Sequence, residues 1–235
     1  MVTFTAPVPD PRRARTAWVA GSTGLIGSQL LPMLLAQSSY RMVHALVRRL
    51  PSHPVHHDKL RHHPVAFNAL PVLPSVDDVY IALGTTIKTA GSRTAFRQVD
   101  FDAVLATARA AREAGAMRLA VVSALGANAR SKVFYNRVKG EMEDAVTSLG
   151  FSTVVIARPS LLIGDRAALG QTVRPVEQWG ERLLRPVMRF VPRRVRPIEA
   201  EAVAAAMLHA MLSGAPGVRR LESAAMQPPP SPPRM

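Results

Sequence analysis

The sequence predicts a single α/β domain: a doubly wound parallel sheet with helices on both faces and a small helical lobe at its C-terminal end. Three observations predict it. Short apolar runs alternate with segments of helical periodicity, the pattern of a parallel sheet covered on both sides. A glycine trio, Gly21, Gly24 and Gly27, separates the first apolar run from the first helical pattern. Residues with usable chemistry recur where apolar runs end, and in such sheets ligands bind beyond the carboxyl ends of the strands.

A chain of 235 residues that is 48% apolar is long enough for one such domain and too short for two full ones. The chain has no cysteine, which excludes disulfides, thiolate chemistry and Cys-ligated zinc and fits a reducing compartment; a cytoplasmic location is expected. Net charge is +14, mostly from arginine. Aromatics are only 5% and do not interleave with the basic residues, so specific nucleic-acid binding is not expected. The uncharged run Trp18–Tyr40 is too rich in Gly, Ser and Gln for a membrane span and reads as a buried strand and helix. The basic, proline-bearing arm 1–15 lacks an apolar core of signal-peptide length.

Taken in order, Ala17–Ala20 is the first strand, and Gly21 permits the tight turn after it. Gly24 lets a pyrophosphate approach the backbone, and Gly27 lets the next helix lie close on the strand. That helix runs from Leu25 to about Gln37, bent by Pro32. Its free N–H groups and positive dipole end favour phosphates. Arg41–Val47 is the second strand and ends in Arg48 and Arg49, with no Asp or Glu between Asp10 and Asp58. An acid at this strand end would accept from a ribose 2′-hydroxyl, whereas an arginine favours a 2′-phosphate, so NADP(H) is expected over NAD(H). The stretch 51–64, with His53, His56, His57, His62 and His63, reads as a solvated loop rather than a metal site.

Val65–Phe67 is a candidate third strand and Val76–Ala82 the fourth, ending in Leu83, Gly84, Thr85 and Thr86. Thr94–Ala114 reads as one long helix closed by Gly115. Met117–Ser123 is a buried strand that delivers Ser123 at its end, followed by a helix over about Val133–Ser148 and a strand over Phe151–Ala157 ending in Arg158, Pro159 and Ser160. Residues 163–225 then form the small lobe that would shape the substrate, with helices at Thr172–Phe190 and Glu199–Leu212, and 226–235 is a proline-rich tail. The expected organisation is therefore an arm over 1–15, a cofactor-binding domain over 16–225 and a disordered tail.

The sharpest chemical signal is Tyr135-Asn136-Arg137-Val138-Lys139. Residues four apart lie one turn along a helix, so the phenol and the ammonium share a face, and the ammonium favours the phenolate. Tyr135 can then pass a proton, Ser123 can orient a substrate oxygen, and Lys139 can tune Tyr135 and hold the ribose of a nicotinamide; together they suit hydride transfer.

The segments GSTGLIG, LGTT, VVSALGA, YNRVKGEME and RPSLLIGDR resemble the short-chain dehydrogenase/reductase superfamily. The likeness is greatest to its atypical, epimerase-like branch, which includes the Tat-interacting protein 30 group of NADPH-binding proteins. It implies a Rossmann fold with Gly21, Ser22, Thr23, Gly24, Leu25, Ile26 and Gly27 wrapping the pyrophosphate. Arg48 would hold the 2′-phosphate, Leu83–Thr86 would line the adenosine and ribose side, and Lys139, Pro159 and Ser160 would meet the nicotinamide end. Ser131 is a second potential partner for Tyr135. The helices at 94–114 and 133–148 pair into homodimers in such relatives. Three functions are compatible with this pattern: an NADP(H)-dependent oxidoreductase for a small carbonyl or alcohol, a non-catalytic NADPH-binding regulator, and a nucleotide-sugar epimerase or dehydratase. The short C-terminal segment counts against the last.

Overall fold

The computed structural model describes residues 14–164 and 192–228. Residues 1–13 of the basic arm, the expected helix at Thr172–Phe190 and residues 229–235 of the tail lie outside them. The elements are β1 (Arg15–Ala20), α1 (Leu25–Ala36), β2 (Tyr40–Val47), β3 (Leu60–Pro64), β4 (Asp78–Ile81), and the short helices α2 (Ile87–Ala90) and α3 (Arg93–Arg97). A π-helical turn (Gln98–Ala103) leads into α4 (Val104–Glu113), β5 (Arg118–Val122), α5 (Phe134–Thr147) and β6 (Thr153–Arg158). After the short strands β7 (Leu162–Ile163) and β8 (Ile198–Glu199) come α6 (Ala200–Leu212), β9 (Gly217–Glu222) and α7 (Ser223–Met226).

Seven strands form one parallel sheet in the order β3-β2-β1-β4-β5-β6-β9. The order reverses between β1 and β4, so the chain leaves these two strands in opposite directions and opens a crevice at their carboxyl ends. The period of two along each strand divides the core. Ala17 and Val19 face one cluster with Leu30 and Leu34 of α1 and Val203 and Met207 of α6. Trp18 and Ala20 face the other, with Val104 and Ala108 of α4 and Met142 and Val146 of α5. Both faces are therefore covered by helices, as the near-continuous apolar strands require. Pro32 is exposed and α1 runs through it to Ala36.

Three expectations need correction. The third strand is Leu60–Pro64, not Val65–Phe67, so His62 and His63 belong to the sheet rather than to a solvated loop. An edge position makes this possible, because half of the strand's polar groups face outward and a proline at its end removes no ladder bond. The long helix over Thr94–Ala114 is interrupted by the π-helical turn, which carries Asp100 into the interior. Residues 217–222 form β9, which joins β6 as the seventh strand instead of staying in a separate helical lobe. Its exposed, mixed-charge sequence, GVRRLE, shows no alternation because it too is an edge strand.

At the amino ends of the strands a buried polar knot ties four of them together. Asp78 of β4 accepts from Arg118 Nε of β5 at 2.6 Å and pairs with Arg15 Nη1 of β1 at 3.2 Å. The Tyr40 hydroxyl of β2 also donates to Asp78, and it lies 2.8 Å from the Tyr80 hydroxyl. Burial pushes the Asp78 carboxyl up and the two arginines push it down; burial also raises both tyrosines. Asp78→Ala strands two cations and a tyrosine hydroxyl in the interior, and urea unfolding is expected to show a loss of about 3–5 kcal/mol.

On the β2–β3 pair, His44 Nδ1 lies 2.8 Å from His63 Nε2. Burial, with His63, Arg61 and Arg41 nearby, pushes His44 down to about 4 from 6.5. Between those values the unfolded chain holds the proton and the folded one does not, so stability falls as pH drops from about 6.5 towards 4. Melting at pH 7 and pH 5 is expected to show a drop of a few degrees, on the order of 1 kcal/mol, that His44→Gln reduces.

Candidate cofactor and active site

The glycine turn after β1, Arg48 and Arg49 after β2, Leu83–Thr86 after β4, Ser123 after β5 and Pro159 and Ser160 after β6 all lie at the carboxyl edge of the sheet. After β1, Gly21 takes φ 87°, a conformation that favours glycine, and a Cβ on it would lie 2.6 Å from the Ala82 carbonyl oxygen. A Cβ on Gly27 would lie 2.0 Å from the Gly21 carbonyl oxygen, so only glycine lets α1 start this close to the turn. Gly24 needs no special conformation; it is the N-cap of α1 and has no side chain to cap it. The first turn of α1 also contains no acid. The Gly24 N–H donates to the Gly21 carbonyl oxygen at 3.0 Å, Thr23 is exposed, and Ser22 and Ile26 are buried. A cradle this free of side chains fits a pyrophosphate. Arg48 and Arg49 are exposed just beyond β2, and among the described residues neither is ion-paired.

Lys139 of α5 is buried and forms an ion pair with Asp100 at 2.7 Å; its Nζ also lies 3.4 Å from the Val122 carbonyl oxygen. The other Asp100 oxygen accepts from the Thr85 N–H at 2.9 Å, which ties the end of β4 to the same carboxylate. A Cβ on Gly84 would lie 3.4 Å from Asp100 Oδ1 and 3.9 Å from Lys139 Nζ, so this glycine keeps the approach to the pair open. Lys139 thus stands beside the β4 end, near Leu83–Thr86, which were expected to line the adenosine and ribose side of a cofactor, whereas Lys139 was expected at its nicotinamide end. Thr86 instead caps α2 by accepting from the Thr89 N–H.

Tyr135 begins the same helix face one turn earlier, with its ring 5.2 Å from that of Phe96. It lines a cavity of about 330 Å³ together with Ser123, Leu125, Pro159, Ser160 and Leu162. The structure therefore brings Ser123, Tyr135, Pro159 and Ser160 to one cavity, and places Lys139 behind it, against Asp100. Ser131 is not part of the cavity wall; its hydroxyl accepts from the Val133 N–H at the start of α5.

Ser123 does not point an uncommitted hydroxyl into the cavity. Its Oγ donates to the buried Glu143 carboxylate at 2.6 Å. Arg158 grips the same carboxylate with Nε at 2.9 Å and Nη2 at 2.6 Å, and Arg220 adds a longer contact at 3.5 Å. Glu143 in turn holds Arg158 in its charged form. Asp100 and Glu143 were missed in the sequence. Glu143 had a signal, since Tyr135, Lys139 and Glu143 follow one another at four-residue steps on one helix face. Asp100 had none, because the π-helical turn shifts the register that a regular helix would give it.

Asp100→Asn leaves the Lys139 ammonium buried without a counter-charge, and chemical denaturation is expected to show a loss of about 3 kcal/mol. Adding Lys139→Met removes both charges, and most of that loss is expected to return.

The chain matches the NAD(P)H-binding family over residues 21–178. It is 34% identical to the mitochondrial protein FMP52 of Coccidioides immitis over 165 residues, covering 64% of this chain and 67% of that one. It is 32% identical to mitochondrial FMP52 of Candida albicans over 187 residues, covering 73% and 82%. Among solved structures it resembles MoeE5 in complex with UDP-glucose and NAD, with TM-score 0.64, 18% identity and coverage of 88% of this chain and 76% of that one, a likeness of fold. The expectation of a cytoplasmic location is corrected by the relatives, whose names place them in mitochondria. It had rested on the lack of cysteine, which shows only that a chain needs no disulfide. The glycine cradle, the parallel sheet and the match over residues 21–178 agree, and the chain belongs to the NAD(P)H-binding family, with the FMP52 proteins among its relatives.

Proposed function

We propose that the protein is an NADP(H)-dependent oxidoreductase acting on a small carbonyl or alcohol compound. The observation that carries this reading is the placing of Tyr135 and Ser123 on one cavity wall, one helical turn from Lys139 and at the sheet edge that bears the glycine cradle. When bound, the cofactor supplies or accepts a hydride at its nicotinamide. The chain's own residues do the rest. Gly21–Gly27 and the start of α1 bind the diphosphate, and Arg48, with Arg49 next to it, meets a 2′-phosphate. Leu83–Thr86 lines the adenosine and ribose side, and Pro159 and Ser160 border the nicotinamide end. Tyr135 gives its proton to the substrate oxygen during reduction and takes it back during oxidation. Lys139, held by Asp100, orients the ribose and supports the phenolate. The apolar walls made by Leu125, Pro159 and Leu162 exclude water from the reacting carbon.

One observation favours a second reading, a regulator that binds NADPH without turnover. Lys139 and Ser123 both already have buried carboxylate partners, so the site is stable without a substrate. The resemblance to the Tat-interacting protein 30 group points the same way. A third reading, on nucleotide sugars, is prompted by the UDP-glucose in the MoeE5 complex. By relationship to the FMP52 proteins, a mitochondrial location is also proposed.

Titration with NADPH and NADH, followed by nicotinamide fluorescence, is expected to show preference for NADPH, reversed or lost in Arg48→Asp. Tyr135→Phe is expected to keep NADPH affinity and to lower carbonyl reduction by about 10²- to 10⁴-fold. Binding with no turnover of any carbonyl by the native protein would favour the regulator. Loss of affinity for both dinucleotides would overturn both readings.

A further inference from the structure

The two serines that line the cavity have both committed their protons away from it. Ser123 Oγ donates to Glu143 Oε1, and an ionised carboxylate that already accepts two arginine contacts has no proton to give back. Ser160 Oγ donates to the Arg196 carbonyl oxygen and accepts from Ser223 Oγ at 2.9 Å. A hydroxyl has one proton and two lone pairs, so each serine can offer the cavity only an acceptor. The remaining hydroxyl on the wall belongs to Tyr135, which has no hydrogen-bond partner among the described residues. Among the described residues, the side-chain hydroxyls on the wall therefore provide one donor and two acceptors, beside Leu125, Leu161 and Leu162.

We infer that Glu143 is a positioning residue that fixes Ser123 as a hydrogen-bond acceptor, and that the site selects carbonyl compounds carrying a neighbouring hydroxyl, α-hydroxy ketones or aldehydes and the corresponding 1,2-diols. The inference rests on the carbonyl-reduction reading above. In the bound complex the substrate carbonyl oxygen accepts from Tyr135, and the adjacent substrate hydroxyl donates to Ser123. On reduction the carbonyl carbon gains the hydride from NADPH and its oxygen gains the Tyr135 proton. The product is the diol, the cofactor leaves as NADP⁺, and Tyr135 recovers a proton from solvent. Ser123 neither gains nor loses a proton. A ketone without the hydroxyl leaves unmet the lone pairs of Ser123, a residue only 3% exposed, which is the arrangement that discriminates strongly between otherwise similar substrates.

The geometry around Glu143 also dictates what its amide would do. Oε2 receives Arg158 Nη2 at 2.6 Å and Arg220 Nε at 3.5 Å, while Oε1 receives Arg158 Nε at 2.9 Å beside the Ser123 hydroxyl; in Glu143→Gln an NH₂ in the Oε2 position opposes two arginine N–H groups and in the Oε1 position only one, so the amide oxygen belongs on the Oε2 side. The amide NH₂ then faces Ser123 Oγ and donates to it, and the serine proton turns into the cavity. Ser123 becomes a donor, and the preference for a hydroxyl-bearing ligand is reversed.

The test uses 2-hydroxyacetophenone and 2-methoxyacetophenone, which share a carbonyl and a phenyl group and differ in the donor. Their dissociation constants are measured by ligand-observed NMR on protein loaded with NADP⁺, where no reduction proceeds. The native protein is expected to bind the hydroxy ketone about tenfold or more tightly. Ser123→Ala, which leaves the Glu143–Arg158 pair intact, is expected to bring the ratio close to one, and Glu143→Gln to favour the methoxy ketone. Tyr135→Phe is expected to weaken both ligands and keep the ratio. A native ratio within about twofold of one, including failure to bind either ketone, overturns the inference, and so does a preference that survives Ser123→Ala. A merely structural Glu143 would change affinity for both ketones together. NADPH oxidation by the native protein is followed in parallel. Turnover of both ketones without preference leaves the oxidoreductase reading standing and removes this one, whereas preferential binding without turnover does the reverse.

Discussion

The arrangement depends on one close approach, that of α1 to the turn that follows β1. With a Cβ on Gly27 only 2.0 Å from the Gly21 carbonyl oxygen, any other residue would lift the helix start away from the strand. The same turn packs on the next strand, because a Cβ on Gly21 would sit 2.6 Å from Ala82 O. The helix start is therefore held at the point where β1 and β4 diverge, with its N–H groups uncapped. The crevice, the glycine cradle and the path of the β4 end towards Lys139 all follow from this contact between backbones.

Charge is handled differently at the two edges of the sheet. At the amino edge, Asp78 is enclosed by Arg15, Arg118 and Tyr40, and the group binds four neighbouring strands together. At the carboxyl edge, Asp100 and Glu143 each hold a group that belongs to the candidate site, Lys139 in one case and Ser123 in the other. Buried ion pairs of this sort add little net stability over an apolar pair but enforce one geometry, since a displaced partner leaves a bare charge in a poor solvent. The two carboxylates thus act as orienting groups, and the freedom left in the cavity belongs to Tyr135.

This distribution bears on how the candidate cofactor site and the proposed reaction site share one helix. Tyr135, Lys139 and Glu143 occupy successive turns of α5 and serve three tasks: facing the cavity, reaching towards β4, and bracing β5 and β6 through Ser123 and Arg158. Gly140, on the same helix, allows the loop after β5 to pack against it, since a Cβ there would lie 2.1 Å from the Ala129 nitrogen. That contact places Ser123 and Tyr135 on one wall although they stand on different elements.

The sequence by itself determined the parallel α/β class, the glycine turn, the succession of strands along the chain from β1 to β6 apart from the position of β3, and the candidate residues that follow the carboxyl ends of those strands. These were legible because they rest on local rules: apolar periodicity, glycine where a backbone must come close, and side chains four apart on a helix. The tertiary structure alone decided the rest. The edge strands β3 and β9 carry polar, exposed residues and so show no apolar run; only pairing with β2 and β6 makes them strands. The π-helical turn has no composition of its own, and what holds Asp100 inside is Lys139, thirty-nine positions further along the chain, together with the Thr85 N–H. The direction of the Ser123 proton likewise depends on a carboxylate and two arginines from three other elements. Apart from the four-residue step that leads from Lys139 to Glu143, long-range partners of this kind leave no spacing to read, which is why the candidate site residues could be named from the sequence and the contacts that orient them could not.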